Sequence, residues 1–257
     1  MASGIDHVVI AVAEPDAAAG ELTEEVGLAF TAGGRHHGLG TFNRIAFLGD
    51  GYLELIGVED PATAQGWEVG AAAAQVLERG GGFATFALVD EAIRVTVPRL
   101  QANGSRIGPV ERGRHERPDG GVVEWLSATP PVLGPDRPPL LIKHLDDDSE
   151  WGPDALATRR AFVHPLGSPA VIERLDVAIA DPQALAADCY RDLNLEFWAV
   201  GSMAVSSVGR HVIRLVADAP ETTLVIGAAI AAPRSVRALG MRFDIQPAEL
   251  STLSSRG

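Results

Sequence analysis

A histidine stands third in IDHVVIAV (residues 5–12), and two lone glutamates stand in similar settings, Glu54 in GYLELIGV and Glu124 in GGVVEWLSA. Imidazole and carboxylate are the common general acids and bases, and both ligate divalent metals. Each glutamate lies between apolar neighbours just after a glycine turn. Burying such a carboxylate costs several kcal/mol unless a cation or a metal compensates it. His7 alone reads more readily as a histidine bonded to a neighbour in the core. Two carboxylates at matched positions, with a histidine in the first strand, point instead to a shared cation. Glu124 has a competing partner in Arg112 or Arg117.

A second constellation is the tripeptide GRH, at 34–36, 113–115 and 209–211. The first two copies precede Glu54 and Glu124 in glycine-rich loops that can approach a ligand closely. There Arg35 or Arg114 could clamp a substrate carboxylate through two parallel hydrogen bonds, while His37 or His115 could move a proton. The same tripeptide also suits an exposed hairpin turn. His144 and His164 read as structural, one closing a strand and one fixing a linker. Trp125, next to Glu124, either walls a pocket or fills core on the opposite face.

The elements that must position these residues follow a repeat. The strand 5–12 is followed by a helix from Pro15 to a terminating Gly27, then by the strands LAFTAGG, TFNRIAFLGD and GYLELIGV. A second copy starts at GFATFALVD (82–90), with a helix containing Pro98 and the strands SRIGPVERG, GGVVEWLSA and PPLLIKHL. A third starts at VIERLDVAIAD (171–181) and ends with TTLVIGA. A fourth begins at ALGMRFDIQPAEL (238–250) and stops after its helix. Copies that cannot bury their own sheet face must pair. The expected fold is α+β, with repeated βαβββ modules paired into cupped mixed sheets. Residues 1–145 form one domain of two paired modules, 146–170 a linker rich in charge, glycine and proline, and 171–257 a degenerate third module with a truncated fourth.

The βαβββ pairs, the histidine of strand one and the glutamate of strand four resemble the vicinal oxygen chelate superfamily. Within it, IDHVVIAV with GGRHHGLGTFNRIAFLGDGYLELIGVED resembles the glyoxalase-like domain proteins, over residues 5–145 and, more weakly, 172–250. The resemblance implies a divalent metal (Zn, Mn, Ni, Co or Fe) held by His7 and Glu54 of module one and Glu124 of module two. The first strand of module two departs from the pattern, offering only Phe83, Ala84 or Thr85. Three ligands leave a coordination position for water or substrate. In module three, Arg174 stands in the place of His7, and no ion is expected there. The segment GGRHHGLGTFN matches a signature-like stretch of these proteins and adds Thr41 and Asn43 to the substrate-binding residues.

The implied activity is that of a metal-dependent lyase or isomerase acting on a small oxygen-rich carbonyl or carboxylate compound through a metal-stabilised enolate. A carboxylate released from the metal, Glu54, or a loop histidine, His37, would act as base. One alternative is a non-catalytic protein that sequesters cationic antibiotics in an acidic cleft. Another is an iron-dependent extradiol-type dioxygenase, against which the lack of a histidine in the first strand of module two counts.

The net charge of −13 in 257 residues argues against nucleic acid as a partner and suits a solvated surface. No apolar run approaches the roughly 20 residues of a membrane span, and the start, MASGIDHV, carries no secretory signal. The single cysteine, Cys189, reads as core filler. The expectations are a cytoplasmic location, a small-molecule substrate, no membrane or nucleic-acid partner, and a second copy of the chain as partner in a homodimer.

Overall fold

The computed structural model describes residues 2–36, 38–116, 121–145 and 151–248. Module one opens with β1 (Gly4–Ala11) and α1 (Pro15–Glu25) and continues with β2 (Gly34–His36), β3 (Thr41–Leu48) and β4 (Gly51–Val58). Pro15 sits in the first turn of α1, where its missing N–H costs no hydrogen bond, and Gly27 takes the positive φ of 80° that lets the chain leave the helix. Two helices follow, α2 (Pro61–Ala64) and α3 (Glu68–Leu77). Module two comprises β5 (Gly82–Val89), α4 (Ile93–Ala102), β6 (Glu111–Glu116), β7 (Val122–Ala128) and β8 (Leu140–His144).

These eight strands form one sheet in the order β2-β3-β4-β1-β5-β8-β7-β6. β1 and β5 pair antiparallel at its centre, and each pairs parallel with the last strand of its own module, β4 or β8. Two like halves thus meet back to back and curl into a cup. All eight residues of β1 are buried, as a strand covered on both faces requires.

The helix α5 (Pro153–Ala161) precedes a second sheet, made of β9 (Ala170–Ala178), α6 (Pro182–Leu193), β10 (Trp198–Val200), β11 (Met203–Val208), β12 (His211–Val216), β13 (Thr223–Ala228), β14 (Arg234–Ala238) and β15 (Met241–Pro247). Its strand order is β10-β11-β12-β9-β13-β15-β14. One apolar cluster joins both sheets, with Ile10, Leu22 and Leu53 in the same core as Leu175, Ile213 and Phe243. A second cluster packs Val69, Ala72, Ala73 and Val76 of α3 with Val9, Ile56, Ala87 and Leu140 of the concave face. α3 therefore fills one end of the cup and leaves the other open.

The structure corrects several expected elements. LAFTAGG is not a strand; the edge strand of module one is the three-residue GRH that begins at its last glycine, Gly34. Only the end of SRIGPVERG belongs to a strand, β6. TTLVIGA does not close the third copy. As β13 it pairs antiparallel with β9, as β5 does with β1, and so opens the fourth. MRFDIQP is the last strand of that copy, parallel to β13, and the link 229–233 is too short to hold a helix. The linker contributes the helix α5, and α2 and α3 have no counterpart among the expected elements.

Candidate active site

Polar residues gather at the open end of the cup. Across the parallel β1–β4 pair, His7 faces Tyr52 and Val9 faces Glu54, so the period-two alternation sends His7, Tyr52 and Glu54 to the concave face together. His7 Nε2 stands 3.9 Å from Glu54 Oε2, and the Tyr52 ring stacks on the His7 ring at 4.5 Å.

Alternation should send Asp6 to the opposite face. It does not, because the β1–β5 pairing steps over it: Ile5 faces Leu88, and the next paired residue, His7, faces Ala87. Such a step re-aims a side chain. It brings Asp6 Oδ1 within 2.6 Å of His7 Nδ1, while His144 Nε2, from the end of β8, reaches the same oxygen at 3.2 Å. Burial alone would raise the Asp6 carboxyl. The charge and hydrogen bond of His144, with those of His7, outweigh it and hold Asp6 well below the usual carboxylate range. An ionised Asp6 accepts from His7 Nδ1–H, and in the neutral tautomer that this bond selects the lone pair is on Nε2, toward Glu54.

Glu54 is oriented from its other side. Gly34 N–H donates to Asn43 Oδ1 at 3.1 Å, which turns the Asn43 amide nitrogen toward Glu54 Oε1 at 2.7 Å and His36 Nε2 at 3.2 Å. His36 Nε2 accepts, so its proton is on Nδ1, facing Thr41 Oγ1 at 2.7 Å. These groups form one buried polar chain, His144–Asp6–His7–Glu54–Asn43–His36–Thr41. Above it lies a cavity of about 450 Å³, walled by Phe47, Tyr52, Trp67, Trp125, Leu140 and Trp151 among others. An apolar body with a few convergent polar groups at one end is the usual form of a small-molecule site.

The structure brings together only part of the expected set. His7, Glu54 and Asn43 line the cavity, and Thr41 is buried behind His36. Glu124 is not with them. It belongs to the third strand of module two, β7, where Val123, Trp125 and Ser127 face the cavity and Glu124 pairs with Arg112 at 2.5 Å. Arg35 also points away: its side chain is 68% exposed, bonds Glu59 and stands over Phe42. Arg114 is exposed on β6 and does not line the cavity. His37 and the His115 side chain lie outside the described residues. The third GRH places His211 in the core between the sheets. Arg174, in the place of His7, bonds Asp176 through Nε at 2.8 Å.

Sequence reasoning missed Asp6, His36 and the role of His144. His36 was signalled by its alternation with Arg35, since one of the two must face inward. His164 accepts from Ala29 N–H and reaches the Phe47 carbonyl, tying the linker down as expected.

The expected ligand set does not fit a metal. Its third member, Glu124, does not line the cavity and is engaged by Arg112, which does. The imidazole nitrogens nearest Glu54, on His7 and His36, stand 3.9 and 3.8 Å from its oxygens, wider than the about 3.3 Å edge that tetrahedral bonds of about 2 Å imply. An amide N–H of Asn43, not a cation, satisfies Glu54 and His36 together. Among the described residues no three His, Cys, Asp or Glu side chains are arranged to hold an ion.

The family model for the glyoxalase-like domain matches residues 5–193. The chain belongs to this family. The fold is that of the vicinal oxygen chelate superfamily. A hypothetical protein from Staphylococcus aureus superposes with a TM-score of 0.77 at 17% identity, over 95% of this chain and 99% of that one. A variant of 4-hydroxymandelate synthase from Streptomyces coelicolor gives 0.51 at 14%, over 88% and 71%. Methylmalonyl-CoA epimerase from Mycobacterium tuberculosis gives 0.42 at 17%, over 56% and 90%. Identities this low speak to the fold alone. A comparison with curated proteins returned no match. No described helix of this glyoxalase-like chain is long and apolar enough to cross a membrane.

Proposed function

We propose that this glyoxalase-like protein is an isomerase or lyase that transfers a proton next to the carbonyl of a small molecule with an apolar body. The observation that carries the reading is the Asp6–His7–Glu54 arrangement at the polar end of an aromatic-walled cavity. His7 Nε2 takes the proton from carbon. The imidazolium so formed is stabilised by the ionised Asp6 behind it and is the positive charge next to the enolate it leaves. Glu54, fixed by Asn43, accepts a hydrogen from a substrate hydroxyl and so sets the orientation. Tyr52, Trp67 and Trp125 hold the apolar body and exclude water. Return of the proton to a different atom gives an isomer; loss of a leaving group gives a lyase product.

The test is deuterium incorporation from heavy water, followed by proton NMR, into 2-oxo acids graded in size from pyruvate to phenylpyruvate. The wild-type protein should accelerate exchange of at least one of them. His7→Gln should lose that acceleration by about 100-fold or more, the usual worth of a positioned base. Equal rates with wild type and His7→Gln across the series would contradict the reading. Binding of a probe without exchange would support a sequestering protein instead.

A further inference from the structure

We propose that His211, on the second sheet, is a positioning residue for the Asp6–His7 pair. This rests on the proton-transfer reading above, but the geometry behind it is independent of any substrate. The Ile5 N–H donates to His211 Nδ1 at 2.9 Å, a buried bond between residues 206 positions apart. Ile5 is the last paired residue before β1 steps over Asp6. His211 therefore grips the backbone at the point where the strand departs from regular alternation. That departure turns two consecutive side chains, Asp6 and His7, toward each other.

The fit around this contact is close. A Cβ on Gly4 would lie 2.9 Å from His211 Nδ1, and one on Gly209 would lie 1.9 Å from the Ser3 carbonyl oxygen. Gly209 also has a φ of 58°, so the turn that delivers His211 needs glycine for its conformation as well as its size. Arg210 reaches Asp50 in the turn between β3 and β4, and Arg160 of α5 bonds the same carboxylate. The third GRH thus has each residue engaged with module one: glycine for approach, arginine for bracing, histidine for the backbone bond. A second sheet that only covered apolar surface would need none of these.

The experiment uses the full chain labelled with nitrogen-15. A through-hydrogen-bond coupling between the Ile5 amide nitrogen and His211 Nδ1 should be seen in the wild-type protein; its absence overturns the proposal whatever the variants do. In His211→Phe, which keeps a ring but offers no acceptor, the downfield His7 Nδ1–H resonance should shift or broaden. Turnover in the deuterium assay should fall about tenfold with KM little changed. His211→Asn, which keeps an acceptor at the δ position, should restore most of both. A folded His211→Phe with the wild-type His7 resonance overturns the proposal. If no 2-oxo acid exchanges with the wild-type protein, the function reading fails, and the coupling and the His7 resonance still decide this one.

Discussion

The two halves of the cup share one plan and differ at every polar site position. β1 and β5 are eight residues each, so His7 and Thr85 are both fourth in their strands. Val9 pairs with Glu54, and the corresponding Ala87 pairs with Leu140. Carried outward, the register matches Asn43 with Ser127 and His36 with Gly113. Module two has thus exchanged histidine, glutamate, asparagine and histidine for threonine, leucine, serine and glycine. The space is not left empty. The Trp125 ring lies against Gly113, where a Cβ would fall 2.1 Å from it. One module supplies the chemistry and the other an apolar wall. Module two lines the cavity with Ser127 and Arg112 as well, but it gives the Asp6–His7 pair one partner, His144, which reaches Asp6 from behind.

The largest expected effect concerns the group that makes module one's histidine a base. Asp6→Asn removes the charge behind His7, and deuterium exchange should fall by about 10²- to 10⁴-fold, as for loss of a tautomer-fixing carboxylate. The same substitution has a stability signature. The Asp6 carboxyl is depressed in the folded chain relative to its ordinary value near 4, so its stabilising contribution is present above about pH 4 and is lost as pH falls below it. Urea unfolding of wild type and variant should therefore differ most at neutral pH and converge in acid.

A smaller effect belongs to the contact between the sheets. Burial, with the Arg210 charge and against the opposing influence of Asp50, pushes His211 down to about 4. Between that value and the unfolded value of about 6.5, the unfolded chain binds the extra proton, so stability rises with pH across the window, by up to about 3 kcal/mol. His211→Phe should flatten this slope in urea titrations at pH 4, 5, 6 and 7. An unchanged slope would assign the pH dependence to other groups.

The smallest effect sharpens the role of the apolar wall. Trp125→Ala should enlarge the cavity and shift preference toward the bulkier 2-oxo acids by about tenfold or more, the scale of a single methylene in an apolar pocket. The rate of proton transfer on the best probe should change little. A large fall on every probe would mean that module two takes part in the chemistry.

Half of the site was legible in the sequence, for a physical reason. His7 and Glu54 are polar residues in strands that are otherwise apolar, and burial makes such residues conspicuous. Glu124 looks the same by composition. Its strand is the third of its module, however, and the one-residue alternation sends Val123 and Trp125 inward and Glu124 out to Arg112. Arg35 and His36 show the converse: in a three-residue strand there is no period to count, and only pairing with β3 tells which faces the cup. Asp6 was out of reach, because a step in the pairing reverses what alternation predicts. His211 depends on a contact across nearly the whole chain. The module order was readable as far as the third copy, and it failed in the fourth, where the helix that marks a module start is missing.

The carboxylate of module one works in the proposed site and that of module two does not. Glu54→Gln and Glu124→Gln, assayed side by side for deuterium incorporation, test it most directly. Glu54→Gln should lose roughly 100-fold, and Glu124→Gln, whose exposed pair with Arg112 contributes little even to stability, should stay within about twofold of wild type. Equal, large losses in both variants would show instead that the two glutamates act together, as a shared metal would require.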